Sequence, residues 1–111
     1  MNKKHFDTFF KYMISEVKEA RDDGQKEYAH VDDVFDDFVK TSELTGTTPE
    51  MVLYTFLNKH IRGIGSYIRG HKSQREDVTG RIKDAIVYLF LLWAMSEKNN
   101  QGDKDGIQKS S

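Results

Sequence analysis

The chain has no cysteine in its 111 residues. Neither a disulfide framework nor a thiolate metal centre can therefore be built from it. It has one proline, Pro49, so most of the chain is free to be helical and that residue reads as punctuation. It lacks an apolar run near the roughly 20 residues that span a bilayer. Its first residues, Met1-Asn2-Lys3-Lys4-His5-Phe6-Asp7, contain no apolar core of a signal peptide. A cytoplasmic protein without a membrane segment is the expectation. There is no excess of either charge, since 17 Lys and Arg against 18 Asp and Glu leave −1. That balance, with no nucleic-acid motif present, disfavours a nucleic-acid partner.

The chain is organised around one stretch that is there, Arg81-Ile82-Lys83-Asp84-Ala85-Ile86-Val87-Tyr88-Leu89-Phe90-Leu91-Leu92-Trp93-Ala94-Met95. From Ala85 to Met95 no side chain is polar apart from the Tyr88 hydroxyl and the indole N–H of Trp93. A segment apolar all round predicts a helix buried on several sides. Strand is the rival reading, but the pattern runs from Ile82 to Lys98, longer than the usual ~4–8 residues of a strand. Arg81 and Asp84 stand one turn apart at its entrance, on one face. They are the charges expected to point toward the centre and to pair.

Three more helices precede it. Phe6, Phe9, Phe10, Met13, Ile14 and Val17 recur at three- and four-residue spacing, which predicts a first helix over 3–22 that ends at Gly24. Asp32 or Asp33 opens a second, with Val34, Phe35, Phe38, Val39 and Leu44 facing in and its acids on the positive end of the helix dipole. Gly46 stops it. Thr48 caps a third helix with Pro49 in its first position, where the missing N–H leaves nothing unsatisfied. Gly63 and Gly65 inside that helix either permit close approach or mark a kink, and the helix frays near Gly70. Ser73-Gln74-Arg75-Glu76 has the form of a capping box for the fourth helix, with Asp77 as the competing cap. Residues 99–111 are polar apart from Ile107 and cannot bury enough to fold. The expected architecture is all-α: one domain over 1–98, a compact four-helix bundle, then a disordered tail over 99–111. The fourth helix is apolar on more faces than three small partners can cover, so a homo-oligomer packed through Phe90, Leu92 or Trp93 is expected.

The near-neutral total hides a polarity. Acids crowd the chain between Glu19 and Glu50, and bases between Lys59 and Lys83. The two regions are solvated faces, or they attract each other, or they frame a metal and a phosphate. Asp32, Asp33, Asp36 and Asp37 form two carboxylate pairs at i,i+4 spacing, the oxygen donors that magnesium takes. Asp33 and Asp37 are the candidate metal ligands of that set; a helix N-terminus dressed with acids is the plainer account. Lys59-His60-x-Arg62 puts cations on about one turn, where they suit phosphate; side chains that merely reach for solvent are the alternative. There is no His-Asp dipeptide, no His-x-x-x-His zinc helix and no nucleophile elbow. Gly63-x-Gly65 follows no strand, so it is not a dinucleotide loop.

Three stretches together resemble a known family. They are Lys26-Glu27-Tyr28-Ala29 with Phe35-Asp36-Asp37-Phe38, Thr48-Pro49-Glu50 with Lys59-His60, and Gly80-Arg81-Ile82-Lys83-Asp84-Ala85-Ile86-Val87-Tyr88-Leu89. In order and spacing they are similar to small phage and prophage proteins related to the nucleotide modification associated domain 1 group, which is all-α and broadly like MazG-type nucleotide pyrophosphohydrolases. The resemblance implies a nucleotide-related role. Two departures stand out. Val87 occupies the place of an asparagine in the family's Asn-Tyr pair. MazG-type enzymes hold magnesium through Glu-x-x-Glu and Glu-x-x-Asp on facing helices, whereas this chain reads Arg81-x-x-Asp84 and has Asn58, Lys59 and Arg62 on the facing helix. Glu16-x-x-Glu19 has the right form on a different helix. A positive Arg81 repels a metal and attracts a phosphate or pairs with Asp84.

The leading expectation is a helical protein that binds a nucleotide or nucleotide-derived ligand without turnover. In it Lys59, His60, Arg62 and Arg81 contact phosphate, Asp84 orients Arg81 or His60, and Tyr28 or Tyr88 stacks on a base. The enzyme alternative is a magnesium-dependent nucleotide pyrophosphohydrolase whose metal is held by Asp84 with acids of the second helix or with Glu16 and Glu19. The third reading is an interaction module, such as an inhibitor of a host enzyme, that presents the acids from Asp22 to Asp37 to a protein partner.

Overall fold

A computed structural model describes residues 1–26, 32–71 and 76–110, without the side chains of Gln25 and 101–110. Four helices follow one another: α1 (Lys3–Lys26), α2 (Asp36–Thr45), α3 (Pro49–Ile68) and α4 (Val78–Ser110). No strand occurs among the described residues. The protein is an all-α bundle, and none of its described helices is long and apolar enough to cross a membrane. α4 packs against both α3 and α1, and α3 packs against α2 as well. Among the described residues α1 has no other backbone neighbour than α4, and α2 none other than α3. The core therefore sits among α2, α3 and α4: Phe38, Val52, Leu53 and Met95 are buried together, with Phe35, Tyr88, Leu91 and Leu92 packed around them.

The α2–α3 corner forms for the reasons its sequence gives. Gly46 takes the left-handed conformation at φ 71° and sends its N–H to the Ser42 carbonyl, a conformation glycine adopts without steric penalty. Two residues on, the Thr48 hydroxyl accepts the Met51 N–H at 3.2 Å, and Pro49 opens α3. α3 ends at Ile68 with Arg69 as its C-cap, and Gly70 follows at φ 103°.

Elsewhere the boundaries move. α1 runs through Gly24 to Lys26, because Gly24 is not in the left-handed region and a single glycine only weakens a helix. α2 starts at Asp36, not at Asp32 or Asp33. The Asp33 carboxylate instead accepts the Phe35 N–H at 2.9 Å and its carbonyl accepts that of Asp36 at 3.2 Å, a turn that delivers the chain into the helix. α2 turns Phe38 and Ser42 inward, while Val34 and Val39 stay exposed and Leu44 is 87% exposed. α2 has one backbone neighbour, so one narrow strip is all that can be covered. α4 begins at Val78, after Asp77, whose carbonyl accepts the Arg81 N–H at 3.0 Å. Ser73, Gln74 and Arg75 of the expected capping box lie outside the described residues.

α4 is not covered on several sides. Ala85 and Met95 are buried, but Ile82, Leu89, Phe90 and Trp93 are exposed. Two neighbours occupy only part of a helix that is apolar all round. Its backbone continues as helix to Ser110, past the core's last residue, Met95. The Asn99 amide, 3.4 Å from the Glu50 carboxylate, is the last side chain seen to reach another helix.

Candidate functional site

His60 is buried on the face of α3 that also carries Phe56 and Gly63, one turn to either side. An aromatic column fixes its ring. Phe38 of α2 meets Phe56 at 6.3 Å, Phe56 stacks with Tyr88 of α4 at 6.2 Å, and Tyr88 stacks with His60 at 5.6 Å and 28°. The column leads from the core to the rim where α3 and α4 meet. There the imidazole lies between two acids, with Nδ1 3.9 Å from Glu76 Oε2 and Nε2 3.9 Å from Asp84 Oδ2. Both distances exceed a hydrogen bond. Nδ1 is fully buried and has no hydrogen-bond partner among the described residues.

Arg81 lies beside the imidazole. Its side chain is 12% exposed, Nη1 is 3.9 Å from Glu76 Oε2, and Nε is buried without a hydrogen-bond partner among the described residues. Gly63 makes the room for it. A Cβ there would fall 2.5 Å from Nη1 and 2.7 Å from Cδ of Arg81, far inside van der Waals contact. This settles what the glycine does within α3: it seats a guanidinium from α4. Buried charges are normally paired at hydrogen-bond distance. Here a cation and an imidazole are held against two carboxylates that each stop about an ångström short of bonding.

The structure gathers some expected site residues and separates others. His60, Arg81, Asp84 and Tyr88 come together. The expected Arg81–Asp84 pair does not form: Arg81 turns to Glu76, and Asp84 faces His60. Tyr88 stacks with both Phe56 and His60, and so positions the imidazole. Lys59 and Arg62 are exposed; they sit on the strip of α3 turned away from His60. Tyr28 lies outside the described residues. Asp33 is engaged in its turn, Asp37 is exposed, and neither joins a group of three metal donors; the one such group among the described residues is His60, Glu76 and Asp84. Glu76 was not foreseen as a site residue. In the sequence it reads as the end of a capping box; in the structure it stands just before α4 and faces His60.

One of the two acids of the magnesium-type motif on α1, Glu16, has other partners. Glu16 accepts the Tyr12 hydroxyl at 2.7 Å and lies 3.6 Å from Lys83 Nζ on α4. The Tyr12 hydrogen bond, then the Lys83 charge, hold the Glu16 carboxyl below the usual range, and the same hydrogen bond pushes the Tyr12 phenol up. On α2, Asp36 binds Lys40 at 2.9 Å and raises its pKa. Asp22 and Asp23 lie against Arg21 and Lys26 of their own helix in the same way, so part of the acidic region is neutralised locally. No family model, curated protein or solved structure matches this chain.

Proposed function

We propose that the protein binds a phosphate-bearing ligand of the nucleotide class, without turnover, at the rim of α3 and α4. The observation that carries this is Arg81, a nearly buried guanidinium whose nearest described carboxylate is 3.9 Å away and whose Nε is unbonded among the described residues. A guanidinium short of acceptors takes an oxyanion, and phosphate can satisfy it in bidentate fashion. His60 supplies a second donor. Asp84 orients His60, and Lys59 and Arg62 attract the anion to this end of α3 without touching it. The sequence resemblance to nucleotide-related proteins supports the nucleotide class over a plain anion. In a panel of nucleoside mono-, di- and triphosphates, the reading expects a rise in melting temperature for wild type that is lost in Arg81→Met. No shift with any member removes it. Pyrophosphate release in the same mixtures would move the chain to the pyrophosphohydrolase reading.

A second reading concerns assembly and rests on a different surface. Phe6, Phe9, Phe10 and Ile14 of α1 and Leu89, Phe90 and Trp93 of α4 are all exposed. α1 is basic at its start, with Lys3, Lys4 and Lys11 against Asp7, and acidic from Glu16 to Asp23, where Glu16, Glu19, Asp22 and Asp23 outnumber Lys18 and Arg21. Two copies of α1 laid antiparallel about a two-fold axis set each basic half against the other's acidic half and cover both stripes. The homo-oligomer is therefore a two-fold dimer through α1, with the exposed part of α4 at its edge. A monodisperse monomer in sedimentation at high concentration overturns this and turns attention to a host protein as the partner.

A further inference from the structure

We infer that His60, Glu76 and Asp84 form a binding site for one divalent transition cation, of the manganese or zinc kind. Each residue offers one donor atom, and the three atoms lie within 4.8 Å of one another. The centre of a triangle with that side is about 2.8 Å from each corner, against bonds of about 2.0–2.2 Å, so the ligands need to close by roughly 0.6–0.8 Å. The geometry allows it. The Glu76 and Asp84 side chains are about half exposed and free to turn, while the imidazole between them is held by Tyr88.

The independent sign of a ligand is the imidazole itself. The His60 side chain is 9% exposed, and its buried Nδ1 has no hydrogen-bond partner among the described residues although Glu76 faces it from 3.9 Å. Leaving such an atom unbonded is unfavourable, and a cation shared with the two acids satisfies it. Two carboxylates and a neutral imidazole balance a dication in charge. The mixed nitrogen and oxygen set selects manganese, iron or zinc over magnesium, which prefers oxygen alone. Among the described residues Arg81 is the cationic side chain that contacts this group and opposes the cation. It stands 3.9 Å from Glu76 and competes for it. A cation that takes Glu76 releases the guanidinium, and the freed group is then available to a phosphate. The cation site rests on His60 and its two acids and does not depend on the phosphate reading, although it sharpens that reading by predicting that the two ligands help each other.

The test titrates the full chain with Mn²⁺ alone, following loss of the free-ion electron paramagnetic resonance signal, and repeats it with Zn²⁺ by calorimetry. One saturable cation per chain is expected. Asp84→Asn and Glu76→Gln should each weaken it about tenfold or more, and Glu43→Gln, an exposed acid of α2, should not. His60→Gln risks misfolding, so the rim acids decide the matter. No saturable binding at millimolar metal, or an Asp84→Asn protein that binds as wild type does, overturns the inference. Nucleotide binding is then measured in chelator and in Mn²⁺. Nucleotide bound in chelator by a protein that takes no metal removes the cation and leaves the phosphate reading. Metal bound by a protein that takes no nucleotide does the reverse.

Discussion

α1 and α3 lie against the same helix, and both carry apolar residues at three- and four-residue spacing, yet they end differently. α3 buries Val52, Leu53 and His60, and Leu53 is 0% exposed. α1 buries only Val17, and Phe10, in the middle of its stripe, is 50% exposed. The difference lies in neighbours. α3 has α4 and α2 against it, α1 has α4 alone. Helical periodicity marks which side of a helix avoids water. It does not say whether the surface that covers that side belongs to the same chain.

The largest effect that sharpens this contrast should come from Leu53→Ala. Truncation at a fully buried site costs about 3 kcal/mol, within the usual 2–5, as measured by urea denaturation. Phe6→Ala on α1 should cost less than about 1 kcal/mol in the monomer, since a side chain already half in water loses little. Equal losses would break the comparison. Next comes Phe10→Glu, which should weaken self-association about a hundredfold, or ~2.7 kcal/mol, in sedimentation equilibrium, with helicity by circular dichroism unchanged. Gly63→Ala follows. It should improve helix propensity yet push Arg81 off its seat, leaving stability within about 1 kcal/mol of wild type while ligand-induced stabilisation falls roughly tenfold in apparent affinity.

The smallest effect concerns the strut that joins α1 to α4. Glu16 has its folded pKa depressed by Tyr12 and Lys83. Its contribution is therefore present above the ordinary glutamate pKa of about 4.3 and is lost as the pH falls through the lower, folded value. Wild type minus Glu16→Gln stability, followed across pH 3 to 6, should shrink toward the acid end. The group is exposed, so the difference should be slight; a flat difference would mean the strut does not form.

Local grammar was legible where one residue type has one use. Gly46, Thr48 and Pro49 each fix a backbone conformation or a single bond, and the α2–α3 corner follows from them. Gly24 misled for the same reason in reverse: glycine permits a stop but does not impose one, and α1 passes through it. The inward strip of α2 could not be chosen from its apolar residues, because Val39 and Leu44 satisfy the pattern as well as Phe38 does. The site was half legible. His60, Arg81 and Asp84 were conspicuous as polar groups at the edges of apolar helices. What links His60 to Arg81 is Glu76, and in the sequence that residue reads only as the end of a capping box.

The seat that Gly63 provides for Arg81 ties two positions 18 residues apart into one choice. Their substitutions should not add: a side chain at 63 is harmful only while a long one stands at 81. Randomising both positions together and selecting for folded protein should return small–large and large–small pairs and exclude large–large ones. The two residues would then co-vary as a unit, and a catalogue of single changes at either position would misjudge what the pair tolerates.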